Sequence, residues 1–236
     1  MGNKLEIEIA DAILELPMGI EAGGQQFSFY PVTLGQVLMT RKILDKIGFD
    51  YTKFASNPIG ESMVAVSNHL DDVLKVIAIN LMRGKDDVLS TYRVDNYIKR
   101  LKACMTRVDV ATMLITVLTR DSKIVNDFVQ DSGLKRDKER MKKISTAKSN
   151  KNSFVFGRRT MYGQLLDAAC ERYGWSVDYV LWGISYVNLQ MMLADQEVSI
   201  FLSDKERKNL RMSNDREIIN ADDPKMKERI MAEFND

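Results

Sequence analysis

Residues 66–81 read VSNHLDDVLKVIAINL, and this stretch decides the fold class. Apolar side chains recur in it at steps of three and four residues, the spacing of one face of an α-helix. The residues on that face are Val66, Leu70, Val73, Leu74, Ile77 and Leu81. Pro58 suits the first turn of a helix and Gly84 suits its end. The pattern therefore predicts one long helix from Pro58 to about Arg83.

The first thirty residues carry the β-strand signal of the chain. Leu5, Ile7 and Ile9 alternate with glutamates, which is the period-two pattern of a half-buried strand. Gly23 and Gly24 form a turn signal just before an aromatic run, Phe27–Tyr30. These features predict a small hairpin or two edge strands.

Helix signals fill the rest of the N-terminal half. Thr33–Gln36 has the form of a capping box, which predicts a helix over Leu34–Ile47 that ends at Gly48. Further predicted helices cover Val94–Met105, Val108–Arg120 and Ser122–Ser132. We therefore predict a mainly α protein whose N-terminal domain, residues 1–133, is helical with a minor β-hairpin.

A basic segment follows that domain. Between Leu134 and Arg159 ten lysines and arginines stand against Asp137 and Glu139, a net charge of +8 in a chain whose total is +1. A solvated helical extension as far as Ile144 is compatible with the pattern, but the Ser, Asn and Lys residues beyond it are not helical. We interpret residues 134–158 as a flexible basic linker.

The segment 159–203 is rich in aromatic residues and predicts a small helical domain. One predicted helix runs from about Arg159 to Tyr173 and ends at Gly174. Ser176 caps a short second helix, and Ser185 opens a third that runs to Ser203. Residues 204–236 form a charged tail in which a terminal helix is compatible with the sequence after Pro224.

Catalysis is not expected from this sequence. His69 is the one histidine, and its spacing to Asp72 predicts a surface pair on a helix. The chain lacks the nucleophile, phosphate-loop, dinucleotide and zinc-protease motifs. We predict no catalytic residue, no cofactor and no metal. No apolar stretch approaches the length of a membrane span, and the sequence suits a reducing cytoplasm.

The aromatic segment has two interpretations. Large side chains could fill the core of a small domain, which is the expectation for Trp175. Tyr, Trp and Met also dominate protein–protein interfaces. The predicted partner-binding residues are Tyr179, Trp182, Tyr186 and Met192.

Nucleic acid is the alternative partner. The helices around Gly174 resemble a helix–turn–helix, and the basic segment 134–159 could contact phosphates with weak, nonspecific affinity. However, the second helix, SVDYVLWGIS over residues 176–185, offers no side chain suited to reading base edges and contains Asp178.

Two stretches resemble a known family. The run YGQLLDAACERYGWSVDYVLWGISYVNLQMMLAD, residues 162–195, is similar to the C-terminal part of tail assembly chaperones of long-tailed bacteriophages and prophages. The run FYPVTLGQVLMTRKI, residues 29–43, resembles the opening of the first helix in such proteins. The basic linker has no counterpart in this resemblance.

The resemblance implies a non-enzymatic helper in the bacterial host cytoplasm. Such proteins coat the long helical tape measure protein and keep it ready for polymerisation of the tail tube protein; self-association is compatible with this role. Two alternatives remain open. One is a regulatory or packaging protein that contacts nucleic acid through residues 134–159, and the other is a structural phage or scaffold subunit.

Overall fold

The computed structural model describes residues 10, 13–131, 134–147, 160–194 and 200. Its first regular element is a β-hairpin of β1, Met18–Ala22, and β2, Gln25–Phe29. The strands are antiparallel, with Ile20 opposite Phe27, and the two glycines between them have φ values of +56° and +69°. The glycine turn and the aromatic strand are confirmed. The aromatic strand pairs with β1, and the predicted strand of Leu5, Ile7 and Ile9 lies outside the described residues.

The turn of this hairpin lies against the backbone of a later helix junction. A Cβ atom added to Gly23 would stand 2.0 Å from the carbonyl oxygen of Cys104, so no side chain fits there. The Asp109 carboxylate, which accepts hydrogen bonds from the Thr106 side chain and backbone, lies in the same junction. These bonds, with a smaller contribution from the Gly23 backbone, hold the pKa of Asp109 below its usual value.

The first described long helix, α1, is Leu34–Lys46, and the predicted capping box is confirmed. The Thr33 hydroxyl accepts from the Gln36 backbone, and the Gln36 side chain accepts from the Thr33 backbone. The same Gln36 amide also donates to the carbonyls of Ile79 and Met82, at 2.8 and 2.9 Å. One buried glutamine thus caps the start of α1 and the end of another helix.

Two helices replace the single long one predicted from residue 58. After a short α2, Tyr51–Ser56, come α3, Pro58–Asn68, and α4, Leu70–Leu81. His69 separates them with φ −138° and ψ 46°, so the predicted continuous helix is wrong. The break lets α3 pack on a later helix while α4 runs through the core, where Val73, Leu74 and residues 76–81 are buried.

The next three helices complete the N-terminal bundle. They are α5, Lys85–Leu89, α6, Thr91–Cys104, and α7, Arg107–Asp131. Helix α6 confirms the prediction, whereas α7 is one continuous helix in place of the two that were predicted. It packs against α3 and α4, and buries Val110, Ala111, Met113 and Leu114 among them. The short helices α2 and α5 were not predicted.

A helix, α8, Leu134–Ala147, occupies most of the predicted flexible linker. The linker prediction is therefore wrong for these residues, and the alternative of a solvated helical extension describes them better. The exposed residues of α8 include Lys135, Arg136, Arg140 and Lys143. Residues 148–158 lie outside the described part of the chain.

The three C-terminal helices lie close to their predicted positions. They are α9, Met161–Tyr173, α10, Val177–Trp182, and α11, Tyr186–Ala194. Gly174 ends α9 with φ +65°, and the hydroxyls of Ser176 and Ser185 cap α10 and α11. The predicted extension of the last helix to Ser203 and the tail 204–236 lie outside the description, apart from Ile200.

These C-terminal helices share a core with the N-terminal bundle. Of the described residues, 10, 13–131, 134–137 and 160–194 form one compact unit, whereas 138–147 and 200 belong to a second. In the first unit Leu34 is buried together with Val180 and Leu189. The described residues 160–194 are therefore not a separate domain, as the boundary at 159 had predicted, because the first turn of α1 supplies part of their core.

Candidate partner-binding surface

Three aromatic rings stack at the junction of α9 and α10. The rings of Tyr173 and Trp175 are stacked with centroids 4.6 Å apart, and Tyr179 meets Trp175 edge-on at 5.1 Å. The Tyr173 hydroxyl donates to the carbonyl of Met192 at 3.3 Å, which brings α11 alongside. We call Tyr173, Trp175, Tyr179 and Met192 the aromatic surface.

The local sequence explains why these rings meet. The left-handed conformation of Gly174 ends α9 and reverses the chain direction. Trp175 is thereby placed beside the last residue of α9, and the Ser176 cap starts α10 one turn before Tyr179. Trp175 is half-buried, so the core position expected for it is only partly reached.

The outer residues of this surface are open to solvent. Tyr179 is 44% exposed and Met192 38% exposed, and the neighbouring Val177 is also exposed. The nearby Asp178 carboxylate pairs with Lys85 of α5, so its charge is compensated. The surface thus combines rigid aromatic rings with the flexible thioether of Met192, and the negative charge of Asp178 beside it is compensated. This composition is typical of protein-binding sites.

The structure divides the four predicted binding residues into two pairs. Tyr179 and Met192 belong to the exposed surface, and their binding role stays a prediction. Trp182 lies with its ring over Gly35, where an added Cβ would come within 2.7 Å of the ring. This contact joins α10 to α1, so Trp182 packs two helices together and is a packing residue rather than a docking one. Tyr179 also lies against a glycine, Gly183, but that contact is local to the end of α10.

Tyr186 also packs inward. Its backbone amide donates to the Val32 carbonyl at 2.7 Å, beside the bridge between Thr33 and Ser185. Its ring is half-buried against the cluster around Leu34, and burial raises the pKa of its hydroxyl. Sequence reasoning did not single out Tyr173, and the core position that it gave to Trp175 is partly reached, because Trp175 packs against the cluster around Leu34. The aromatic–Gly–Trp order around Gly174 was the signal that could have indicated their contact.

The titratable residues of the described chain offer little chemistry. His69 is exposed between α3 and α4, and Asp72 pairs with Lys46 at 3.8 Å. Among the described residues no cluster of three or more histidine, cysteine, aspartate or glutamate side chains is placed to hold a metal ion. No helix in that part of the chain is both long and apolar enough to cross a membrane.

Comparison with known protein families, with curated proteins and with solved structures finds no match to this chain.

Proposed function

We propose that this chain is a non-enzymatic tail assembly chaperone that binds an apolar helical client through its aromatic surface. The observation that carries the proposal is the pair of exposed residues, Tyr179 and Met192, beside the half-buried stack of Tyr173 and Trp175. Tyr179 packs one side of its ring against Gly183, yet 44% of the residue stays exposed to solvent. The client is a tape measure-like protein, delivered to the tail tube protein in the host cytoplasm.

The chemistry of the surface fits a helical client. An amphipathic helix presents an apolar stripe about two turns long, and aromatic rings supply large contact area with few rotatable bonds. A methionine beside them adapts to different side chains, which suits a client whose sequence varies along its length. The contact area of four side chains is small, so each chaperone binds reversibly and several copies line one client.

Replacing Tyr179 with alanine is expected to weaken client binding about tenfold or more while leaving the fold intact. Interface aromatics typically contribute about 2 kcal/mol. Tyr179 is 44% exposed, and the packing that alanine removes is the contact of its ring with Trp175 and Gly183. Co-expression with a tape measure protein, followed by measurement of the soluble client, gives the result. Tyr92, 76% exposed on α6, provides the matched control Tyr92→Ala. Equal solubilisation by both variants would contradict the proposed surface.

Helix α8 supports a second candidate function, contact with nucleic acid. Its exposed lysines and arginines would contact phosphates, and the affinity would then fall steeply with salt, with a slope of about −0.9 per phosphate on a double-logarithmic plot. A regulatory or packaging role would depend on this helix.

Changing Arg136, Arg140 and Lys143 together to glutamate separates the two functions. We expect the triple variant to lose any weak binding to nonspecific DNA, measured by a salt titration, and to solubilise the client as the wild type does. Loss of client solubilisation in this variant, with Tyr179→Ala still active, would favour α8 as the functional element. A structural subunit would instead remain in purified particles, where a chaperone is absent.

A further inference from the structure

We propose that a cavity between α1, α4, α7 and α11 binds a small neutral molecule with a ring-sized apolar body and one hydroxyl or amide group. The cavity has a volume of about 270 Å³. Val37 of α1 and Val117 of α7 are among its apolar walls, and Asn126 at its rim is exposed to solvent. This inference does not rest on the chaperone function, since the residues of the aromatic surface do not line the cavity.

One end of the cavity carries a buried polar pair. Asn80 is 4% exposed and Thr40 6% exposed. The Asn80 amide nitrogen donates to the Thr40 hydroxyl and to the Val76 carbonyl, both at 2.8 Å, which fixes the orientation of the amide.

Each residue of this pair has a second hydrogen-bonding group. In the two bonds above the Asn80 nitrogen is the donor and the Thr40 hydroxyl oxygen an acceptor, so the Asn80 amide oxygen and the Thr40 hydroxyl hydrogen take part in neither. A ligand hydroxyl can donate to the first and accept from the second, and an amide can do the same. A ligand that forms both bonds is favoured over a purely apolar one.

The charge of the lining favours a neutral ligand. Asp121 is the charged residue among the described lining residues, and its side chain is 13% exposed. Arg120 neutralises it through an Nε–Oδ1 contact of 2.6 Å, and the Val32 amide also donates to it. A cation would have to compete with Arg120, and an anion would meet the carboxylate in a site of low polarity.

The volume limits the ligand to about one ring. A buried apolar cavity of roughly 150 Å³ holds benzene, and drug-sized sites begin near 300 Å³. Benzyl alcohol is therefore a suitable probe, with toluene, benzylammonium and benzoate as isosteric comparisons that lack the hydroxyl or add a charge.

Titration of the full chain with benzyl alcohol, followed by amide chemical shifts, tests the proposal. We expect saturable shifts at the lining residues with a Kd on the order of 1 mM, as for fragments of this size. The three comparison probes should bind at least about fivefold more weakly. Thr40→Val should reduce the affinity for benzyl alcohol to that for toluene and leave toluene binding unchanged.

Substitutions that fill the cavity with a larger side chain provide the second part of the test. Val117→Phe should abolish binding, whereas Val108→Phe, at an exposed position on the same helix, should not. Gln190→Phe closes the cavity from α11 should Val117→Phe fail to fold. Shifts that do not saturate, equal binding of benzoate or benzylammonium, or unchanged binding after closure would each overturn the proposal.

Discussion

Replacing Trp182 with alanine is expected to lower the free energy of unfolding by about 3 kcal/mol and Tm by roughly 6–12 °C. The half-buried ring of Trp182 covers Gly35 in the first turn of α1 and lines a cleft with Tyr30 and Arg83. Removing it leaves a gap between α1 and α10. Thermal and denaturant unfolding of the full chain measure the loss.

Gly35, the residue that the Trp182 ring contacts, provides a stricter test. Gly35→Ala places a Cβ within 2.7 Å of the indole ring and should destabilise the wild type by about 1–2 kcal/mol. In the Trp182→Ala background the same change should instead stabilise by up to about 1 kcal/mol, because alanine is the better helix former. A double-mutant cycle with strictly additive effects would show that the two residues do not touch. If the Trp182→Ala variant keeps the wild-type Tm, Trp182 is not a packing residue and becomes a candidate for partner binding again.

Replacing Gly23 with alanine should strongly destabilise the protein. The residue has φ +56°, which disfavours side chains, and its Cβ would overlap the Cys104 carbonyl oxygen at 2.0 Å. Because the obstacle is backbone, the turn has to move away from the end of α6. We expect a loss of at least about 3 kcal/mol in unfolding free energy.

Gly24 is the matched control for this prediction. It has a similar φ of +69°, but an added Cβ meets nothing within 4 Å. Gly24→Ala should therefore cost only the left-handed conformation, about 1 kcal/mol. Equal effects of the two substitutions, measured by chemical denaturation, would mean that the hairpin does not contact the α6–α7 junction.

Features governed by neighbouring residues were predictable from the sequence. The capping box of Thr33 and Gln36, the left-handed Gly174 and the serine caps of α10 and α11 each depend on groups within four residues. The twin glycines likewise indicate a tight turn, since positive φ at both positions is what a type I′ hairpin turn requires.

Features decided by tertiary packing were not predictable. The apolar stripe of α3 continues into α4, so the sequence gives no sign of the break at His69. Asp121 and Ser122 look like a helix boundary, yet α7 continues through them. Asp121 serves a distant contact there, because its carboxylate accepts from the Val32 amide and pairs with Arg120.

The two tryptophans illustrate the same limit at the candidate site. Both occur in an aromatic helical segment, and composition alone gives either one the core position. Gly35, which lies far away in the sequence, provides the flat surface on which Trp182 rests. Trp175 is left between two tyrosines at the protein surface. Only the fold could assign these roles.

The most direct test of the central claim is hydrogen–deuterium exchange of the full chain with and without a co-purified tape measure protein. Binding through the aromatic surface should slow exchange in residues 173–179 and around Met192, and leave α8 unchanged. Protection of α8 with no change at residues 173–179, or the absence of any protection in a stable complex, would contradict the proposed docking surface.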